Sequence, residues 1–319
     1  MSRMRIVFMG TPGFAVPSLH KLLDAGYEVV AVVSQPDRSK GRKKVLTPPP
    51  VKEAALARGI PVLQPARMRN PEAAAEIAAL EPDLIVTAAY GQILPKAVLD
   101  APRLGCINVH GSLLPKYRGG APIQRAIMDG ERVTGITILY MAEGLDTGDM
   151  ISRMEVPIAP DDTSGTLFEK LSEAGAELLM RTLPSILDGT AQAVPQNEEE
   201  ATYAPNLTRE DERIDWTRSA ETIRNQVRGL VPFAGAFTYW NGEVLKVWAC
   251  RAAADKRGGG EPGKVAAAGP DGLFVQTGDG VLQLLDVQPA GKKAMPAAEW
   301  LKGVRLPEGT VLGGTTDGE

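Results

Sequence analysis

Two stretches of this chain carry the residue types from which acyl chemistry is built. Asn108-Val109-His110-Gly111-Ser112-Leu113-Leu114-Pro115 places an amide and an imidazole two residues apart, and Gly144-Leu145-Asp146-Thr147-Gly148-Asp149 supplies a carboxylate downstream. When a nucleophile attacks an acyl carbon, negative charge develops on the carbonyl oxygen and the nucleophile sheds a proton. A side-chain amide can donate to that oxygen, and an imidazole or a carboxylate can manage the proton. The chain has only two histidines, so imidazole chemistry falls on His110, and His20 reads as a helix-surface residue. Structural roles exist beside the chemical ones: Asn108 could end a strand in a turn, His110 could be a satisfied, partly buried ring, and Asp146 could form an Asp-Thr-Gly turn.

The surrounding pattern says what must position these groups. Arg5 to Gly10 and Glu28 to Ser34 are short β-branched runs, with an apolar-periodic segment from Phe14 to Ala25 between them and Gly26 as its stop. The alternation continues through Pro50 to Arg58 (helix), Pro61 to Leu63 (extended), Pro71 to Leu80 (helix) and Asp83 to Ala88 (strand). This is the signature of an α/β, Rossmann-like, mainly parallel sheet, which binds ligands at the carboxyl ends of its strands. His110 ends the run Cys106 to Val109, and Asp146 follows the run Gly135 to Tyr140, so both fall on that rim.

Beyond the helical stretch Ser164 to Leu187 periodicity lapses, and residues 190–208 read as a linker with a solvated acidic triplet, Glu198 to Glu200. From Arg209 a helix (Ala220 to Leu230) precedes five strand-like runs, Ala236 to Trp240, Val244 to Trp248, Gly263 to Ala267, Leu273 to Thr277 and Val281 to Val287. Asn241-Gly242, Asp271-Gly272 and Asp279-Gly280 supply turns, and five strands suit a small OB-like β-barrel, a frequent nucleic-acid platform. The expected organisation is therefore a catalytic domain over 1–189, a linker over 190–208, a barrel over 209–312 and a frayed tail over 313–319. A closing helical turn is expected from Pro296 to Lys302.

At 319 residues the chain is long enough for two cores, and 44% hydrophobic with 23% charged residues is ordinary for a globular protein. Cys106 and Cys250 fit neither redox nor zinc spacing, and Cys106 reads as a small core residue. With so few histidines and scattered thiols, no metal is expected. The N-terminus enters a strand pattern at once, and no apolar run approaches the roughly eighteen residues of a membrane span. A cytoplasmic monomer is the expectation.

One connection breaks the pattern. Between Ser34 and Pro50 the loop is far longer than the roughly two to six residues usual in such folds, and it concentrates Arg38, Lys40, Arg42, Lys43 and Lys44. In a chain of net charge -4 this suits an arm reaching a phosphate backbone rather than a merely solvated face.

Taken with Phe8-Met9-Gly10-Thr11-Pro12-Gly13-Phe14-Ala15, Ala89-Tyr90-Gly91-Gln92-Ile93-Leu94-Pro95, the basic loop and the stretch Asn108 to Gly120, the chain resembles the methionyl-tRNA formyltransferases over nearly its full length. The Asn-x-His-x-Ser-Leu-Leu-Pro pattern with the later Asp is shared with the wider 10-formyltetrahydrofolate transferases and hydrolases, and the basic loop and barrel single out a tRNA acceptor. The resemblance implies transfer of the formyl group of 10-formyltetrahydrofolate to the α-amino group of methionine on initiator methionyl-tRNA. It also implies that Asn108, His110 and Asp146 are catalytic, that Ile93, Leu94, Ser112, Leu113, Leu114 and Pro115 flank the folate, and that Arg38, Lys40, Arg42, Lys43 and Lys44 contact tRNA. Arg213, Arg218, Arg224, Arg228 and Lys246 of the barrel are further candidates from spacing.

Three rivals remain. A nucleotide-dependent dehydrogenase fails because Pro12 stands where a G-x-G-x-x-G pattern needs glycine. A non-catalytic RNA-binding adaptor predicts salt-sensitive tRNA binding indifferent to His110. A sister formyltransferase or hydrolase with a non-tRNA acceptor would share the chemistry but not the use of the basic loop.

Overall fold

The structure is a computed structural model and describes residues 4–41, 44–253, 259–307 and 309–314. The chain forms two compact units, one of Met1–Pro122, Val133–Pro157 and Phe168–Pro205, the other of Ile123–Arg132, Ile158–Leu167 and Asn206–Glu319.

The first unit is built on strands β1 (Arg5–Gly10) and β2 (Glu28–Val33), a hairpin of β3 (Arg38–Lys40) and β4 (Val45–Thr47), then β5 (Val62–Leu63), β6 (Leu84–Ala88), β7 (Cys106–His110), β8 (Val133–Tyr140) and β9 (Met150–Pro157). Helices α1 (Val16–Asp24), α2 (Pro50–Ala57), α3 (Pro71–Ala79) and α4 (Lys96–Leu99) connect the parallel strands. The main sheet runs β5-β2-β1-β6-β7-β8-β9. The first five run parallel, and β8 pairs antiparallel with both β7 and β9, so the expected mainly parallel sheet is present.

Ile6, Val7, Phe8 and Met9 of β1 are fully buried, as a central parallel strand covered on both faces requires. Gly10 ends that strand, and a Cβ there would stand 2.6 Å from that of Ala15 and 3.0 Å from the Ala88 carbonyl oxygen. The glycine therefore serves close packing of the strand end.

Among the elements the sequence reading did not place are a hairpin and an edge strand, along with short helices such as Lys96–Leu99 and Pro122–Met128. The long basic loop contains the β3–β4 hairpin, pairing Arg38 with Thr47 and Lys40 with Val45. Its three-residue strands carry too little apolar alternation to be read in advance. Strand β9 was also not anticipated. It lies at the sheet edge with alternating half-buried and exposed residues, so its apolar signal is weak.

The second unit takes in α5 (Pro122–Met128, from Ile123 onward), the first residues of α6 (Ser164–Leu187), α7 (Arg209–Glu212) and α8 (Ala220–Leu230). These accompany β10 (Ala236–Trp240), β11 (Glu243–Ala252), β12 (Val265–Gly269), β13 (Gly272–Gln276) and β14 (Val281–Pro289), followed by β15 (Met295–Pro296) and α9 (Ala297–Gly303). Ser219 caps α8 by accepting from the Thr222 N–H at 3.1 Å. The strands form the expected five-stranded antiparallel path, β10-β11-β14-β13-β12, with β15 added beside β14. Register shifts at Ala249 mark bulges that bend β11. Trp216, Trp300, Leu245, Val247 and Leu284 fill the core beneath. Of the expected tail, Gly313 donates to the Tyr239 carbonyl at 2.8 Å, and 315–319 lie outside the described residues. Among the described residues no helix is long and apolar enough to cross a membrane.

Candidate active site

The parallel strand β7 carries Asn108 and His110 to its carboxyl end, and the loop after β8 brings Asp146 to meet them. Asn108 Nδ2 lies 3.5 Å from Asp146 Oδ1, and His110 Nδ1 lies 3.7 Å from Asp146 Oδ2. The imidazole side chain is 6% exposed and the carboxylate 14%, so water screens the pair poorly.

Each group is oriented by a second partner. The Thr87 hydroxyl donates to Asn108 Oδ1 at 2.8 Å, which turns Nδ2 toward the carboxylate. His110 Nε2 sits 3.0 Å from the Tyr117 carbonyl oxygen. A carbonyl can only accept, so Nε2 carries the proton and Nδ1 is the nitrogen facing Asp146. The carboxylate itself accepts the Gly119 N–H at Oδ2, 2.8 Å away.

The backbone is shaped to allow this. Asp146 adopts φ 53°, a left-handed conformation that aspartate tolerates better than most residues. A Cβ on Gly148 would stand 1.8 Å from the Tyr140 carbonyl oxygen, so the loop closes only with glycine there. On the other side, the loop after His110 is pinned by the Thr137 hydroxyl, which donates to the Ser112 carbonyl at 2.7 Å and accepts from the Leu114 N–H at 3.1 Å.

The residues expected to flank folate fall into two groups. Ile93 is exposed in the loop after β6 and Leu113 is half-buried. Leu94, Ser112, Leu114 and Pro115 are buried: Leu94 packs with Met68 and Val98, and the Ser112 hydroxyl donates to the Lys116 carbonyl at 2.7 Å. Any ligand contact from this buried set would come through its backbone. In the basic arm Arg38 and Lys44 are exposed, Lys40 lies on β3, and Arg42 and Lys43 fall outside the described residues. The arm is rooted at Asp37, which accepts from Lys52 Nζ and Gln64 Nε2, and these partners, Gln64 foremost, hold its carboxyl below the usual range. Among the barrel cations, Arg228 donates to the Asp162 carbonyl, Lys246 to that of Ala234 and Arg224 to Glu221, which leaves less of that set for a phosphate.

Other titratable groups nearby are silent. Burial pushes the Cys106 thiol up to about 12, as suits a core residue, and the Tyr90 phenol up to about 12.

The sequence reading missed several partners: Thr87, the Tyr117 carbonyl, the Gly119 N–H, Arg118 and Gln196. Arg118 was visible within Lys-Tyr-Arg-Gly-Gly, but nothing in that motif announces that its side chain is fully buried against Gln196 and Glu198. All three residues of the acidic triplet are exposed, as expected of a solvated connector, and Glu198 in addition pairs with Arg118 at 2.7 Å. Arg118 holds the Glu198 carboxyl below its ordinary range.

A sheet of this order has counterparts among known proteins. The family described as formyl transferase matches residues 4–183, and its C-terminal domain matches residues 206–305. The chain belongs to the formyl transferase family. Within it, the chain is 57% identical over 310 residues to the methionyl-tRNA formyltransferase of Bacillus licheniformis, covering 97% of this chain and 98% of that one. It is 55% identical over 315 residues to the enzyme of the same name from Halalkalibacterium halodurans, covering 98% and 99%. Among solved structures the fold is similar to an N-formyltransferase from Helicobacter canadensis bound to folinic acid and dTDP-3-aminofucose (TM-score 0.68, 18% identity, 90% of this chain and 99% of that one). It is also similar to HypX from Aquifex aeolicus in complex with tetrahydrofolic acid (TM-score 0.65, 20% identity, 94% of this chain). The chain spans about half the length of HypX, 47%.

Proposed function

We propose that this protein transfers the formyl group of 10-formyltetrahydrofolate to the α-amino group of methionine carried by initiator tRNA, for initiation of translation. The observation that carries the chemistry is the convergence of Asn108 Nδ2, His110 Nδ1 and the Asp146 carboxylate within 3.5–3.7 Å. The acceptor follows from relatives of that name matching 97–98% of the chain.

The attacking amine must be neutral. An α-amino group titrates near 7.7–8.0 in peptides and lower when its carboxyl is esterified, so a useful fraction is unprotonated at neutral pH. As the nitrogen bonds to the formyl carbon, the carbonyl oxygen becomes negative and takes a hydrogen bond from Asn108 Nδ2. The proton released by the amine passes to the His110 Nδ1–Asp146 pair, where the carboxylate stabilises the imidazolium. The C–N bond to the folate then breaks, and that proton is returned to the folate nitrogen, leaving formylmethionyl-tRNA and tetrahydrofolate. Asn108, His110 and Asp146 are the catalytic residues. Ile93, Leu94 and the 112–115 loop flank the donor, and the basic arm from Arg38 to Lys44 engages the tRNA. The protein acts as a cytoplasmic monomer in this reading.

The test compares methionyl-initiator tRNA with free methionine as acceptors, using wild type and His110→Ala. Formylation of the tRNA alone, lost in the variant, is the expected result. Donor turnover without tRNA formylation would replace this reading with that of a sister transferase or hydrolase.

A further inference from the structure

The segment from Val194 to Ala204 does more than leave the first unit. Val194 exchanges both backbone hydrogen bonds with Met150, at 2.8 Å each. Thr202 takes the Arg118 N–H on its carbonyl and the Tyr117 N–H on its hydroxyl, both at 2.8 Å. Ala204 donates to the Arg118 carbonyl at 2.7 Å, and a Cβ on Gly119 would stand 2.7 Å from the Ala204 carbonyl oxygen. The segment is a strap laid across the loop that follows β7.

Within it, Gln196 uses both ends of its amide. Nε2 donates to the carbonyls of Asp146 (2.7 Å) and Gly148 (2.8 Å), while Oε1 accepts from Arg118 Nε (3.0 Å) and Nη2 (2.9 Å). Arg118 stands between Tyr117, whose carbonyl fixes the His110 tautomer, and Gly119, whose N–H holds the Asp146 carboxylate. Both catalytic side chains thus take their position from elements joined by one amide.

We infer that Gln196 is a positioning residue that sets the separation between His110 Nδ1 and the Asp146 carboxylate. It touches no reacting atom and acts by tying the backbone of the Asp146 loop to Arg118. The inference deepens the formyl-transfer reading and rests on it for its kinetic part. The physical stake is that a misplacement of about 1 Å in a reacting constellation can cost on the order of a hundredfold in rate.

Two variants test it. Gln196→Glu keeps an acceptor for Arg118 but removes the donor to the Asp146 and Gly148 carbonyls, and Gln196→Met removes both with similar length. Both should lower kcat by roughly tenfold or more, with KM for donor and acceptor within about twofold. Because the chain has only two histidines, ring 15N spectra of the protein without substrates give a second readout. The His110 resonances should move in both variants, and those of His20 should stay. Wild-type kcat, a change in KM alone, or a fall in kcat with an unmoved His110 ring would each overturn the inference. A wild type that fails to formylate tRNA while its His110 ring still responds to Gln196→Glu would instead sink the functional reading and leave the positioning role standing.

Discussion

The orientation of the Asn108 amide yields the sharpest quantitative expectation. Two neighbours fix it: the Thr87 hydroxyl donating to Oδ1 at 2.8 Å, and the acceptor-only Asp146 carboxylate facing Nδ2 at 3.5 Å. In the proposed mechanism Asn108→Ala removes the donor to the developing oxyanion outright, and losses of this kind cost about 10²–10³ in rate, or about 2.7–4 kcal/mol. Thr87→Val leaves the donor in place and deletes the bond that orients it, together with the hydroxyl's longer contacts to the Ile107 carbonyl (3.1 Å) and Met141 Sδ (3.3 Å). Thr87 is 2% exposed, so valine fits the space with little change in volume. One net hydrogen bond contributes about 1 kcal/mol, which shifts the balance between the two amide orientations about fivefold, since about 1.4 kcal/mol corresponds to tenfold. The Asp146 contact still favours the productive orientation, so kcat should fall about fivefold or less. Single-turnover formylation of methionyl-tRNA at saturating donor measures both. The reasoning is refuted if Asn108→Ala stays within tenfold of wild type, or if Thr87→Val is as damaging as Asn108→Ala.

Three further outcomes follow from the geometry. Gly148→Ala forces a Cβ to within 1.8 Å of the Tyr140 carbonyl, a backbone atom that cannot swing away. It should destabilise the fold by about 1–3 kcal/mol in denaturant titration and depress kcat, and a variant equal to wild type in both would discredit the loop geometry. Replacing Arg38, Arg42, Lys43 and Lys44 with glutamine should flatten the plot of log tRNA affinity against log salt by about 0.7–0.9 per phosphate contact removed, and parallel plots would remove the arm from the tRNA interface. The Glu198 carboxyl is held below its ordinary value of 4.5 by Arg118. Its contribution to holding the strap is therefore complete above that value and lost as pH falls through the lower folded-state value. An acid-active protease should cut residues 194–204 faster as pH drops through that window, with Glu198→Gln cut readily throughout, and identical pH profiles would contradict this.

Much of the scaffold was legible because it is periodic. The runs at Arg5 to Gly10 and Ala236 to Trp240 and the helices at 164–187 and 220–230 have the bounds their apolar spacing suggests. What escaped lacked that signal. Strand β9 is half-exposed at a sheet edge, and the arm's hairpin has strands of three residues, too short to show an alternation. At the site, Asn108, His110 and Asp146 were visible as residue types suited to one chemistry on one rim. Their holders were not, since two of them are backbone groups and Gln196 lies fifty residues beyond Asp146 in an aperiodic stretch. Its partner Arg118 stands in Lys-Tyr-Arg-Gly-Gly, a motif that does not announce burial. Only three-dimensional closure reveals that such a residue is buried.

That buried arginine has a consequence for how the unit is assembled. The guanidinium of Arg118 has a fully buried side chain and finds its counter-charge in Glu198, eighty residues later in the chain. During synthesis every element of the parallel sheet is complete before its partner has been made, so an early-folding core must either keep that cation hydrated or wait. A chain cut after α6 lacks both that counter-charge and the strap that covers the guanidinium, so Arg118 would stay in water and its loop would stay unpinned. The last stretch of the catalytic unit to leave the ribosome is therefore the one that licenses the loop at its active site to close.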